Sequence, residues 1–277
     1  MKTEGSGSDY FASMTDMMIG ILFIFVIMIA FFAFQINTSD SVPRAVHDPV
    51  VEENERLKKL IAKLQQPNPL EVYLNKGRGV RDQIVANTIK KLQAKGIDAR
   101  SVRQGVITIS GKGLFGSGRS DLESVSGAKD KVSLIAQTLE SQIVCFAVSD
   151  EYEVAYDTCN PARIFVEAVF IEGHTDNIPV SAVLSDGSTS NLELSARRAT
   201  NTYQQVVLES PFLKELKNPF GQQALSVAAY GEQRPIADNK TRQGREDNRR
   251  IDIRLVMYVP SSTEDLDAMK AKFGADK

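Results

Sequence analysis

Between Phe11 and Ile36 the chain carries one charged residue, Asp16. Met17 to Phe34, directly after it, forms an apolar run of eighteen residues weakened only by Gly20. At about 1.5 Å per residue such a helix spans roughly 27 Å, close to a bilayer core. It is the one run of this length, so a single pass is expected. A cleaved signal peptide needs a basic start, a shorter apolar core and small residues at its end. Here Lys2 stands against Glu4, Asp9 and Asp16, and the run ends Phe31-Phe32-Ala33-Phe34-Gln35, which points to an uncleaved anchor. A carboxylate at the head of a membrane helix is costly unless it is protonated, paired or hydrated. Asp16 is therefore either a cap for a helix starting at Met17 or an ion carrier. Asp9 lies seven residues earlier, in a Gly/Ser-rich stretch that reads as solvated.

The charge balance narrows the partners. Thirty-three basic against 35 acidic residues give a net charge of −2 over 277 residues, which argues against nucleic acid. Loop charges lean weakly towards a basic side after the span, with Lys2 before it and Arg44, Arg56, Lys58 and Lys59 behind. Residues 37–50, with Pro43 and Pro49, read as a linker. A charged helix is expected over 51–66, with Leu57, Leu60, Ile61 and Leu64 on one face. That stripe fits a short parallel coiled coil or an amphipathic helix belonging to its own domain. Pro67-Asn68-Pro69 ends it.

Further on, helices are expected over Val80–Lys95 and Ala128–Leu139, and a third with the stripe Leu192, Ala196, Ala199, Tyr203 and Val206. Strands are expected over Gly105–Ser110, Arg163–Ile171, Leu225–Tyr230 and Ile251–Met257, the last alternating Ile251, Ile253, Leu255 and Met257 with Asp252 and Arg254. Lys112–Ser120 is glycine-rich without the features of a phosphate loop. Ser261 and Glu264 stand at capping-box spacing before a short terminal helix with Leu266, Met269 and Phe273. The order gives an α/β domain with a mixed sheet and helices on one face. Cys145 and Cys159, the two cysteines, either form one disulfide or stay as separate thiols. His174 and His47 are the two histidines, with no clustered Cys/His set, so no metal site is expected. Ser195 near a helix start reads as a local hydrogen-bonding residue rather than a nucleophile, and no enzymatic activity is expected.

Four stretches of the second half carry a resemblance. They are Gly173-His174-Thr175-Asp176, Asn191-Leu192-Glu193-Leu194-Ser195-Ala196-Arg197-Arg198-Ala199, Ala229-Tyr230-Gly231-Glu232-Gln233-Arg234-Pro235 with Asn239, and Gly244-Arg245-Glu246-Asp247-Asn248-Arg249-Arg250. Together, over about residues 100–258, they resemble the OmpA-like peptidoglycan-binding domain. The resemblance implies that Asp176 takes the ammonium and Arg198 a carboxylate of a diaminopimelate stem peptide. Asn191 and the backbone near Thr175 complete the site, and one of Arg249 and Arg250 is structural. The stretch Asn177–Ser190 is longer than in outer-membrane members and resembles the flagellar stator B subunit, MotB.

A wall-binding domain implies a cytoplasmic N-terminus, against the loop charges. The expected organisation is a cytoplasmic tail over 1–10, a transmembrane helix over 11–36, and a linker with a candidate dimerising helix over 37–69. The OmpA-like domain follows over 70–260, then a terminal helix and tail over 261–277. That layout resembles the B subunit of MotA/MotB-like ion-driven motors in the bacterial inner membrane. It implies a polytopic MotA-like ring, a second copy of this chain, and peptidoglycan as partners, with no cofactor beyond the transported H+ or Na+. Asp16 would carry the ion, helped by Ser13 and Thr15. Asp16 falls about one helical turn later than in the flagellar pattern, without a basic tail before it. The chain therefore looks more like the B subunit of Zorya-type anti-phage motors (ZorB). A flagellar stator B subunit and a passive membrane-to-wall tether are the alternatives.

Overall fold

The computed structural model describes residues 8–39, 44–65 and 67–274. The side chains of Asp9, Ser13, His47 and Leu64 lie outside the described set, as do residues 1–7, with Lys2 and Glu4. The chain divides into two compact units, Met1–Pro67 and Asn68–Lys277.

The first unit consists of α1 (Ser8–Ser39) and α2 (Arg44–Gln65). Within α1, Met14–Ile36 is long and apolar enough to cross a membrane, and its described side chains are exposed all round. A helix apolar on every side has no aqueous face and needs lipid or protein around it. α2 starts seven residues before its expected beginning at Val51, inside what reads as linker. Pro49 sits within it and removes one main-chain bond without ending the helix. Ion pairs Glu53–Arg56 at 3.6 Å and Glu55–Lys58 at 2.9 Å span its turns. Val50, Leu57, Leu60 and Ile61 stay about half exposed.

The second unit opens with α3 (Pro69–Ala94), eleven residues ahead of the expected start at Val80. The Pro-Asn-Pro sequence that reads as a stop is also a start. Asn68 accepts from the Leu70 amide as N-cap, and Pro69 takes the first helical position, where no amide is needed. There follow β1 (Ala99–Arg100), β2 (Val106–Ser110), α4 (Ala128–Ile143), α5 (Tyr156–Cys159) and β3 (Val166–His174). The chain continues through α6 (Asn191–Glu209), α7 (Pro211–Glu215), β4 (Leu225–Gly231), α8 (Arg242–Asn248), β5 (Arg250–Met257) and α9 (Thr263–Lys272). α9 is capped by Ser262 on the Asp265 amide, one residue beyond the expected Ser261/Glu264 pair. Cys145 and Cys159 are joined as a disulfide across 14 residues, a closure of the length that contributes about 3 kcal/mol in the chain-entropy model.

The sheet has the order β1-β2-β5-β3-β4, with β3 and β4 parallel and the other pairs antiparallel. Ile107, Ile109, Val169, Ile171, Ile251, Ile253 and Leu255 join Val132, Ile135, Ala136 and Leu139 of α4 and Leu92 of α3 in one core. α4 packs between α3 and α6, while α6 lies on β3 and β4. The inner face of α6 is more polar than its expected stripe. Leu192 is exposed, whereas Leu194, Ser195, Arg198, Thr202 and Gln205 are buried. The reason is what α6 meets: loop backbone on one side and the strand ends on the other.

The outer face of the sheet is buried where β3 and β5 meet at Glu172 and Asp252. Asp252, expected to alternate outwards, is 2% exposed, and Arg250 beside it equally so.

Gly173 sets how closely α6 approaches. A Cβ there would stand 2.1 Å from the Ser195 carbonyl oxygen. The neighbour is helix backbone and cannot swing away. A Gly173→Ala variant should therefore lose about 1–3 kcal/mol, read as a fall of about 2–12 °C in Tm. An unchanged Tm would contradict this close approach.

Candidate functional site

β3 ends at His174, and the next amide, Thr175 N, donates to Gly231 O at 3.0 Å. The chain leaving β3 thus stays beside the end of β4. Gly231 has φ of +53° and lies against the first turn of α6, where a Cβ would meet Leu192 N at 3.1 Å. Its own amide donates to Ser195 Oγ at 2.9 Å, and that hydroxyl donates to Leu192 O at 2.8 Å. Ser195 makes the expected local bond to Leu192 O and, beyond it, joins the helix to the end of β4.

Asp176 follows in a tight turn, its Oδ1 accepting from Ile178 N at 3.1 Å. Asn191 opens α6, and its Nδ2 donates to Ile178 O at 2.9 Å, tying the turn to the helix. Ser190 caps α6 from the Glu193 amide, while Glu193 accepts from Thr189 N at 2.6 Å. Two turns beyond Asn191, Arg198 points to the same side and is 4% exposed.

The Lys112–Ser120 loop does more than connect. Arg198 Nε donates to Arg119 O at 2.9 Å and Nη2 to Gly116 O at 3.2 Å. Its guanidinium stands 5.3 Å from the Phe115 ring centre, within cation–π range. Among the described residues Nη1 makes no hydrogen bond. Burial, then the positive charge of Arg249, hold the Arg198 pKa down to about 10, against the opposing pull of Asp176. It stays charged at neutral pH. The long stretch 177–190 closes over this loop: Asp186 accepts from the Ser120 hydroxyl and from Ser188 N.

The direct ionic partner of Asp176 is Arg249, through Nη1 to Oδ2. Arg198 interacts with Asp176 only through space. Of the two neighbouring arginines, Arg250 is the buried structural one, bonded to Asp252 at 3.0 Å, while Arg249 remains about one-third exposed. Thr175, 4% exposed, has a buried Oγ1 with no partner. The result is a rim with one carboxylate facing two guanidinium groups, one of them partly exposed. Such a set accepts an ammonium at Asp176 and a carboxylate at the arginines. The larger grooves lie elsewhere, one of about 680 Å³ between α3 and the β1 turn and one of about 560 Å³ beside the disulfide. The first is lined by Asp82, Lys90, Arg100 and Arg103 but lies outside the four motif stretches, whereas Asp176, Arg198 and Arg249 all lie within them, so the charged rim is the better candidate.

Behind the rim lies a cluster that the sequence reading did not assemble. Glu172, His174 and Asp252 bring ligand-type atoms within 4.8 Å of one another. Glu172 is held by Arg254 through two 2.7 Å bonds. Asp252 accepts from Thr108 Oγ1 at 2.7 Å and from Arg250 Nε at 3.0 Å. The carboxylates are already neutralised, which favours a structural role. The cross-strand register Glu172↔Asp252 and His174↔Arg250 makes the cluster. Period-two spacing on β3 and β5 was its only signal in the sequence.

Asp16 lies eight residues inside α1, which begins at Ser8. It therefore does not cap a helix starting at Met17; that reading is corrected. A carboxylate in a span long and apolar enough to cross a membrane, with no capping role, needs another reason.

Residues 160–249 match the family described as OmpA family. The mixed sheet with its helices, following one N-terminal apolar helix, is consistent with an OmpA-like C-terminal domain. Motility protein B of Bacillus subtilis is 30% identical over 106 residues, which cover 38% of this chain. The chain spans about a third (35%) of that relative's length. The cell wall anchor of the T6SS from Pseudomonas aeruginosa is 18% identical, with TM-score 0.43, over 64% of this chain and 99% of that one. A putative MotB-like protein from Desulfovibrio vulgaris is 19% identical, with TM-score 0.44, over 69% and 100%.

The buried cluster generates a pH dependence. Burial pushes the His174 pKa below its ordinary 6.5 although Asp252 and Glu172 pull it up. Unfolding therefore takes up a proton below pH 6.5, and the folded state loses stability as pH falls through the depressed value. Burial also pushes Asp252 upwards, but His174, Arg250 and Thr108 outweigh it and hold that carboxyl low, with the same sign on acidification. His174→Gln should flatten the stability–pH curve just below pH 6.5; an unaltered slope would contradict the assignment.

Proposed function

We propose that this chain is the B subunit of a MotA/MotB-like ion-driven motor of the bacterial inner membrane. It is anchored in the membrane by α1 and in peptidoglycan by the Asp176/Arg198/Arg249 rim. The observation that carries this reading is that rim at the edge of an OmpA-like domain. Diaminopimelate offers an ammonium and carboxylates at matching close spacing. The Cys145–Cys159 bond supports an oxidising compartment for this domain and hence a cytoplasmic N-terminus.

At the membrane end, Asp16 is the one charged residue in the Met14–Ile36 span. It takes H+ or Na+ from outside, loses its charge, changes its contacts with a surrounding MotA-like ring, and releases the ion inwards. One charge crossing about 100 mV supplies about 2.3 kcal/mol per step. A second copy of the chain completes the unit. The later position of Asp16 favours anti-phage defence of the Zorya (ZorB) type over a flagellar stator. A passive tether is disfavoured because Asp16 has no capping work at the interior of α1.

Two measurements test the two ends. Asp176→Ala should reduce retention on isolated peptidoglycan about tenfold or more, and Arg249→Ala should also weaken it with the fold intact by circular dichroism. Full retention by both removes the site. Asp16→Asn should abolish activity in the cell while membrane insertion and wall retention persist; full activity removes the ion-carrying role.

A further inference from the structure

Val50, Leu57, Leu60 and Ile61 of α2 are about half exposed, and the pattern of the segment says what covers them. Two heptad registers are available. If Val50, Leu57 and Leu64 occupied the first core position, Glu53 and Leu60 would fill the second, setting two glutamates against each other inside the seam. If the same three residues occupy the second position, the first is filled by Asn54 and Ile61. No charge then enters the seam. An isoleucine-type first position with leucine-type second positions favours two parallel strands, and a single asparagine at the first fixes their register.

The flanks agree. Glu53 and Lys58 then stand on either side of the seam, five residues apart, the spacing at which a flank residue meets its opposite number on a parallel partner. Within one chain they are spent only on exposed pairs, Glu53–Arg56 at 3.6 Å and Glu55–Lys58 at 2.9 Å. Such pairs are worth little and exchange easily. Asn54 Nδ2 donates to Val50 O at 3.0 Å, which leaves Oδ1 to accept from another asparagine amide. An antiparallel partner would instead set Asn54 against an aliphatic side chain. A membrane surface is a poorer fit, because Glu52, Glu53 and Glu55 share the polar face with Arg56, Lys58 and Lys59.

We infer that residues 50–64 pair with the same segment of a second copy as a parallel two-stranded coiled coil whose register Asn54 sets. This deepens the proposed motor reading, on which it rests for the second copy. Two heptads are short for an isolated coiled coil. Two copies held in one membrane by α1 are already at high effective concentration.

The test uses the full chain in membranes. Cys145 and Cys159 are bonded to each other, so single cysteine substitutions report alone. Mild oxidation of Leu57→Cys should give a product of twice the chain mass. Lys59→Cys, on the far side, should give at least about tenfold less, and Leu60→Cys an intermediate yield. Glu53→Lys should lower the Leu57→Cys product, and adding Lys58→Glu should restore it. Equal yields at 57 and 59, no product at any position, a product of another mass, or a maximum at 60 would each overturn the pairing or its register. Peptidoglycan retention is measured on the same variants. Loss of the crosslink with normal retention refutes the pairing alone, and a normal crosslink without retention refutes the wall reading alone.

Discussion

The contact of α6 with the strand β3 at backbone distance is what the site depends on. Gly173 makes room for the Ser195 carbonyl, and Ser195 Oγ takes the Gly231 amide. Helix, β3 and β4 are thereby locked at one corner. The turn after β3 carries Asp176, and the helix carries Asn191 and Arg198 two turns apart. Each side chain is aimed by an element whose position the corner sets. No charged residue of the rim takes part in that corner contact; Asp176 pairs with Arg249, and Arg198 holds the 112–120 loop.

The charges themselves are graded by burial. Arg250, Asp252, Glu172 and His174 sit beneath the surface and neutralise one another. Arg249, one residue before Arg250, is partly exposed and meets Asp176. The adjacent arginines of one motif thus serve two layers, because successive residues at the start of a strand point to opposite faces. Removing one partner of the deeper layer would strand a buried charge, a cost of about 3–5 kcal/mol. Removing Arg249 takes the direct partner from the largely buried Asp176 carboxylate but leaves the charge of Arg198 nearby.

Much of this was legible in the sequence, and the failures share causes. The strands and the core of α4 follow from periodicity, and Asp176 and Arg198 from the motifs around them. The Pro-Asn-Pro segment was misread because the same residues can stop one helix and start the next. The polar positions of β5 looked solvent-facing, since alternation alone cannot reveal a second polar strand face pairing with them. The hold of the 112–120 loop on Arg198 rests on carbonyl groups, which every residue owns and no side chain announces. The alternative in which Asp16 caps a helix beginning at Met17 fails because α1 begins at Ser8.

The central claim is that the rim recognises a paired ammonium and carboxylate. The most direct measurement is calorimetric titration of the Asn68–Lys277 unit with two muropeptides. One carries diaminopimelate and the other lysine at the same position, which lacks the second carboxylate. Binding of the diaminopimelate form, at least about tenfold tighter than the lysine form, is the predicted result. Equal affinity for the two, or binding of neither, would contradict the account.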